Sequence, residues 1–89
     1  MFRVDWLQSA LNELADLWTQ ADSDQRQVIT EACHAIEQRL ARDPEQESES
    51  RPAGRRITFA PPLAATYRIE EDERTVTVVH VRMFRHRRR

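Results

Sequence analysis

Ten residues in the second half of this chain could handle phosphate or a proton: Arg55, Arg56, Arg68, Arg82, Arg85, Arg87, Arg88, Arg89, His80 and His86. Arginine keeps its charge and grips a phosphate with two parallel N–H bonds. Histidine exchanges a proton near neutral pH. Together these groups could hold a nucleic-acid backbone and assist cleavage of a phosphodiester, the arginines meeting the negative charge that develops at phosphorus. Tyr67 and Phe84 are placed in sequence to stack on an unpaired base. The set read as catalytic is therefore Arg56, Arg82, Arg85, His80 and His86, with Arg55, Arg68 and Phe84 as RNA-binding residues.

A plainer account competes for each of them. Arg87, Arg88 and Arg89 close the chain, and tails of that kind are usually solvated and disordered. Arg55 and Arg56 alternate as any strand residues do. Simple alternation sets His80 on the face of Val76 and Val78, where it packs, and Tyr67 reads as core before it reads as a platform.

The elements that must position these residues follow from periodicity. Arg55–Phe59, Ala65–Glu70 and Thr75–Arg82 read as three strands, the last dense in β-branched residues. The polar Glu71–Arg74 joins the last two at hairpin length, and Pro61-Pro62 marks a turn. Val76 and Val78 share one face of the last strand, Val79 and Val81 the other. Either that strand is central and covered on both sides, or a bulge shifts its register near Val78-Val79. Gly54, the only glycine, stands where a positive φ would open the first of the three strands.

Upstream, Phe2, Val4 and Trp6 alternate as a short strand. From about Ser9, Ala10, Leu11, Leu14, Leu17, Trp18 and Ala21 fall at helical spacing. Asp22-Ser23-Asp24 breaks that pattern and offers caps for a second helix, from about Asp24 to Arg42, with Val28, Ile29, Ala32, Ile36 and Leu40 on one face. Asp43-Pro44 stops it. So short a joint makes the two helices an antiparallel hairpin. Residues 45–53 read as a polar, mobile surface loop, and residues 86–89 as a disordered basic tail. The expected fold is α+β: a strand, a helical hairpin and a three-strand antiparallel meander, in one domain spanning 1–89.

Size and composition bound the rest. A chain of 89 residues buries only about 60 to 65% of its unfolded surface, enough for one apolar layer between helices and a sheet. No apolar run approaches the roughly 20 residues of a spanning helix, and the N-terminus lacks the order of a signal peptide; the expectation is cytoplasmic, with no membrane partner. Cys33 is the single cysteine, which excludes an internal disulfide. Scattered histidines argue against a metal site, and one glycine cannot make a phosphate loop, so no cofactor is expected. The net charge of −1 conceals an asymmetry: residues 1–50 carry eleven Asp/Glu and four Arg, residues 51–89 four Asp/Glu and ten Arg. Such a split points to an anionic partner for the second half, or to attraction between the halves.

The order Trp6, Ala10, Glu13-Leu14, Trp18, the Ala32–Leu40 helix, Asp43-Pro44, Gly54-Arg55-Arg56, Pro62-Leu63 to Tyr67 and Arg74-x-Val76-x-Val78 resembles the RelE/ParE toxin superfamily. The likeness runs from Phe2 to about Arg85. It implies a small cytosolic bacterial toxin of a type II toxin–antitoxin system, with a helical hairpin packed on an antiparallel sheet. It also implies an acidic, partly disordered antitoxin as partner. RelE-like members cleave mRNA on the ribosome without a metal, by promoting attack of a ribose 2′-hydroxyl on the adjacent phosphate; ParE-like members inhibit DNA gyrase. The resemblance favours the first activity, with the second, or an inactive relative that only binds its antitoxin, as alternatives. RelE-like nucleases carry an arginine three residues before the tyrosine of the middle strand; here that position is Ala64. Arg56, Arg82 and Arg85 match the basic positions, and no terminal tyrosine follows Phe84.

Overall fold

The computed structural model describes residues 1–45, 49–51 and 54–83. Its elements run β1 (Arg3–Trp6), α1 (Gln8–Gln20), α2 (Ser23–Arg42), β2 (Glu49–Arg51), β3 (Arg55–Ala60), β4 (Leu63–Glu70), a 3₁₀ turn (Glu71–Glu73) and β5 (Thr75–Met83). The expected α+β class, and the β3–β4–β5 meander within it, are present.

Two strands complete the sheet at its edges. The order is β1-β5-β4-β3-β2, with β1 parallel to β5 and every other pair antiparallel. β1 can be parallel because the two helices carry the chain away before the sheet returns to it. β2 corrects the reading of 45–53 as loop throughout: Glu49, Ser50 and Arg51 pair with Ile57, Arg56 and Arg55. Gly54, at φ +70°, turns the chain between the two strands. Polar composition concealed this strand, yet charged, short strands are what a sheet edge favours. Residues 46–48 and 52–53, and the tail after Met83, lie outside the described residues.

The helices begin and end close to their expected limits for identifiable reasons. Asp22 caps α2: its carboxylate accepts from the Gln25 N–H at 2.8 Å, and the Gln25 side chain returns an acceptor to the Asp22 N–H at 3.0 Å. Arg39 and Arg42 occupy the last turn, where cations meet the negative end of the helix dipole.

Both helices pack on one face of the sheet, α1 over β5 and α2 over β1, β3 and β4. The buried cluster joins Ala10, Ile29, Ala32, Ile36 and Leu40 from the helices to Ala60, Leu63, Ala65, Tyr67, Val76, Val78 and Val81 from the sheet. Leu11 and Trp18 depart from the expected apolar stripe, at 41% and 40% exposure. The face of Ala10, Leu14, Leu17 and Ala21 meets the core, leaving those two on its shoulder, where the Arg26 guanidinium lies over the Trp18 ring at 5.4 Å. Tyr67 is core, as expected from its spacing. It is fully buried and its hydroxyl donates to the Pro44 carbonyl, so β4 fastens the chain just beyond α2.

The two readings of the last strand prove compatible. β5 is central, between β1 and β4, and it also carries a bulge: Thr66 pairs with His80 and Tyr67 with Val78, leaving Val79 as the extra residue. That insertion brings Val81, not His80, into the cluster with Val76 and Val78. The placement of His80 with those valines by simple alternation is thereby corrected.

Candidate functional site

Register assigns the basic residues to faces, because directly opposed strand residues share one. Three rows cross β3, β4 and β5 on the side turned away from the helices: Arg55–Arg68–Thr77, Ile57–Thr66–His80 and Phe59–Ala64–Arg82. Alternate residues along a strand are about 7 Å apart, so the Arg55–Arg68 row lies about 14 Å from the Arg82 row. Ala64 and Thr77 are short and buried, whereas Arg55 and Arg82 are exposed. The far face thus has the small side chains Ala64, Thr66 and Thr77 along β4 and β5, Ile57 and Phe59 along β3, and cations toward either end.

Arg55 and Arg68 stand opposite one another, a juxtaposition of like charges that is unfavourable until an anion joins it. Part of that repulsion is relieved locally: Arg68 Nε donates to Glu70 at 3.1 Å, an ion pair about two-fifths exposed on both sides. Such a pair contributes at most about 1 kcal/mol, little enough for a phosphate to displace.

Arg56 is not with them. It pairs with Tyr67, on the face turned toward the helices, and its guanidinium reaches the Glu45 carbonyl at 3.5 Å. Arg56 and Tyr67 together hold the Asp43–Glu45 segment that follows α2. Adjacent in sequence, Arg55 and Arg56 are therefore separated by the thickness of the sheet. Phe84, Arg85 and His86 lie outside the described residues; the chain reaches them directly from the Arg82 end of β5.

His80 has a partner that the sequence did not signal. β1 ends where Trp6 meets Val78, and the Leu7 N–H to the Val78 carbonyl is the last bond on that side of β5. From there α1 runs beside the released edge. The Glu13 carboxylate accepts from the Val81 N–H at 2.8 Å and faces His80 Nδ1 at 3.3 Å. The contact spans 67 residues, and no local pattern could reveal it, since Glu13 reads as a residue of the polar side of α1.

The remaining titratable groups are elsewhere. Burial, and then the neighbouring Glu37, push the Cys33 thiol up to about 11, so it keeps its proton at neutral pH. Glu71, in the acidic turn, is raised chiefly by the hydrogen bond that its protonated carboxyl donates to Glu45. Among the described residues no group of three His, Cys, Asp or Glu side chains could hold a metal. No described helix is long and apolar enough to cross a membrane.

Known proteins share this fold. The family model for the ParE toxin of type II toxin–antitoxin systems, parDE, matches residues 4–89. The chain belongs to that family. Solved structures of both RelE and ParE proteins share its fold. One is the RelBE2 toxin–antitoxin complex of Mycobacterium tuberculosis: 18% identity, 92% of this chain and 90% of that one covered, TM-score 0.74. A second is the chromosomal ParDE system of Pseudomonas aeruginosa: 14% identity, 96% and 98% covered, TM-score 0.71. A third is the isolated RelE toxin of Escherichia coli: 14% identity, 98% and 88% covered, TM-score 0.63. At these identities the likeness is one of fold. No curated protein sequence is a match.

Proposed function

We propose that this toxin arrests translation, as an mRNA endonuclease working on the ribosome. Arg55, Arg68 and Arg82 sharing the helix-free face, with His80 in the row between them, is the observation that carries the reading. In this account Arg55 and Arg68 receive one phosphate of an extended strand. Arg82 meets the scissile phosphate, whose charge rises as the 2′-hydroxyl oxygen bonds to phosphorus and the bond to the 5′-oxygen breaks. The hydroxyl must lose a proton and the departing oxygen must gain one. His80, reaching out with Nε2, is placed for that exchange. By sequence alone, Phe84, Arg85 and His86 belong to the same candidate set. In the Arg82→Ala variant, mapped mRNA ends during expression should lose the cleavage sites made by the parent chain, with thermal stability retained. Unchanged cleavage would remove Arg82 from the site.

A ParE-like reading, inhibition of DNA gyrase without RNA chemistry, is favoured by one specific observation. Ala64 sits directly opposite Arg82, where the resemblance expects a RelE-like nuclease to carry arginine. The same row accommodates the nuclease reading only if Arg68 or the residues after Met83 supply the missing cation. Intact mRNA during arrest decides for gyrase.

Under either reading the partner is an antitoxin. Several structural relatives were solved as toxin–antitoxin complexes, and this chain exposes Leu11, Trp18 and Val28 on its helices and Leu7 just before α1, away from the cationic sheet face. An acidic segment that folds as it binds would cover the first with apolar side chains and the second with carboxylates. The neighbouring reading frame's product should co-purify and dissociate more readily as salt is raised.

A further inference from the structure

Glu13 does two things with one carboxylate, and the pairing determines which nitrogen of His80 carries the proton. One oxygen accepts from the Val81 backbone N–H at 2.8 Å. The other faces His80 Nδ1 at 3.3 Å. An ionised carboxylate only accepts, so the imidazole must donate from Nδ1. In the neutral ring Nε2 then has no proton and carries a free lone pair.

We infer that Glu13 is a positioning residue, which locks His80 in the Nδ1–H tautomer and leaves Nε2 as the proton acceptor of the site. The inference rests on the reading of His80 as the proton carrier proposed above. The lock is rigid for a structural reason. Val81 N–H is on the edge that β5 exposes once β1 ends, and it pins the carboxylate to the backbone of the residue next to His80. Because α1 packs over β5, Glu13 itself is delivered by the core rather than by a loop. His80 and Glu13 keep side-chain exposures of 42% and 40%, so the ring is anchored at one nitrogen and reachable by a substrate.

Glu13→Gln distinguishes orientation from mere packing. The Val81 N–H is a donor and still requires an oxygen, so the glutamine must turn its carbonyl there and present its NH₂ to His80. Nδ1 then has to accept, and the proton moves to Nε2. The fold keeps its contact while the tautomer inverts. The experiment is long-range ¹⁵N–¹H spectroscopy of the full chain at a pH where the ring is neutral, with His80→Asn used to assign the His80 signals among the three histidines. The expected result is Nδ1–H in the parent and Nε2–H in Glu13→Gln, with the Val81 amide resonance retained. The same tautomer in both proteins, or Nε2–H in the parent, overturns the inference.

A second measurement separates this from the functional reading. With translating ribosomes and mRNA, Glu13→Gln should lower kcat about 100-fold, the scale of a lost general acid–base group, with little change in KM. Inversion of the tautomer with undiminished cleavage overturns the catalytic role of His80 and that of Glu13 with it. If the tautomer inverts but even the parent chain cuts no mRNA, the nuclease reading fails while the geometry of the Glu13–His80 contact stands.

Discussion

The two halves of β5 carry two valines each and have opposite fates. Thr75–Val78 lies between β1 and β4, hydrogen-bonded on both sides, with Val76 and Val78 fully buried against the helices. Val79–Met83 keeps β4 on one side but has passed the end of β1 on the other, where Glu13 serves the Val81 N–H. The bulge at Val79 lies at the boundary. Before it, Val76 and Val78 serve the core. After it, Val81 still faces the core while His80 and Arg82 are given to the outside. A strand that is closed on both edges contributes stability; once one edge is released, the same strand can present chemistry on a rigid support.

Substitutions should separate along that boundary, beginning with the largest expected effect. Arg82→Ala should lower cleavage by 100-fold or more, the cost of removing a group that stabilises transition-state charge, and leave the melting temperature nearly unchanged. A comparable fall in stability would erase the distinction between the halves. Val78→Ala should do the reverse: destabilisation by roughly 2 kcal/mol in chemical denaturation, from lost burial and the cavity left behind, with cleavage retained per folded molecule.

A smaller effect of opposite sign is expected across the sheet. The Thr58 side chain is buried on the helix-covered face, and its hydroxyl has no partner among the described residues. Thr58→Val should therefore stabilise the chain by about 1 kcal/mol, measured in the same denaturation series, without touching activity. Destabilisation would mean that the hydroxyl is satisfied after all.

The least of these effects concerns pH. Cys33 has an ordinary value of 9.0 and is raised to about 11 in the fold. An acid raised in this way holds its proton longer folded than unfolded, so its contribution is whole below pH 9 and is lost as pH rises toward 11. Cys33→Ser should flatten the decline of stability over that window, and thiol alkylation of the native chain at pH 8 should be slow. An equal decline in both proteins would show that Cys33 is not its source.

How legible this was in the sequence depended on the range of the interaction. The 3.6-residue period of Ala10, Leu14 and Leu17, and of Ile29, Ala32, Ile36 and Leu40, fixed the core face of each helix locally. The Asp22 cap and the Asp43-Pro44 stop are equally local. β5 announced itself through its Val and Thr content, but whether it was central or bulged could not be read from one strand, because the bulge exists only relative to Thr66 and Tyr67 opposite. β2 was hidden because charged residues suit an edge strand and a loop alike. Arg55 and Arg56 both read as phosphate ligands until register assigned them to opposite faces. Glu13 was the hardest: its meaning depends on where β1 stops, and that is decided by pairing with a strand more than 60 residues later.

The central claim, that the far face of the sheet acts on mRNA, is tested most directly by pulse labelling. Protein and DNA synthesis would be followed in bacteria immediately after induction of this chain alone, beside Arg82→Ala. The expected result is an early fall in protein synthesis, ahead of any change in DNA synthesis, that Arg82→Ala abolishes. An early fall in DNA synthesis with mRNA intact would contradict it and transfer the chain's action to gyrase.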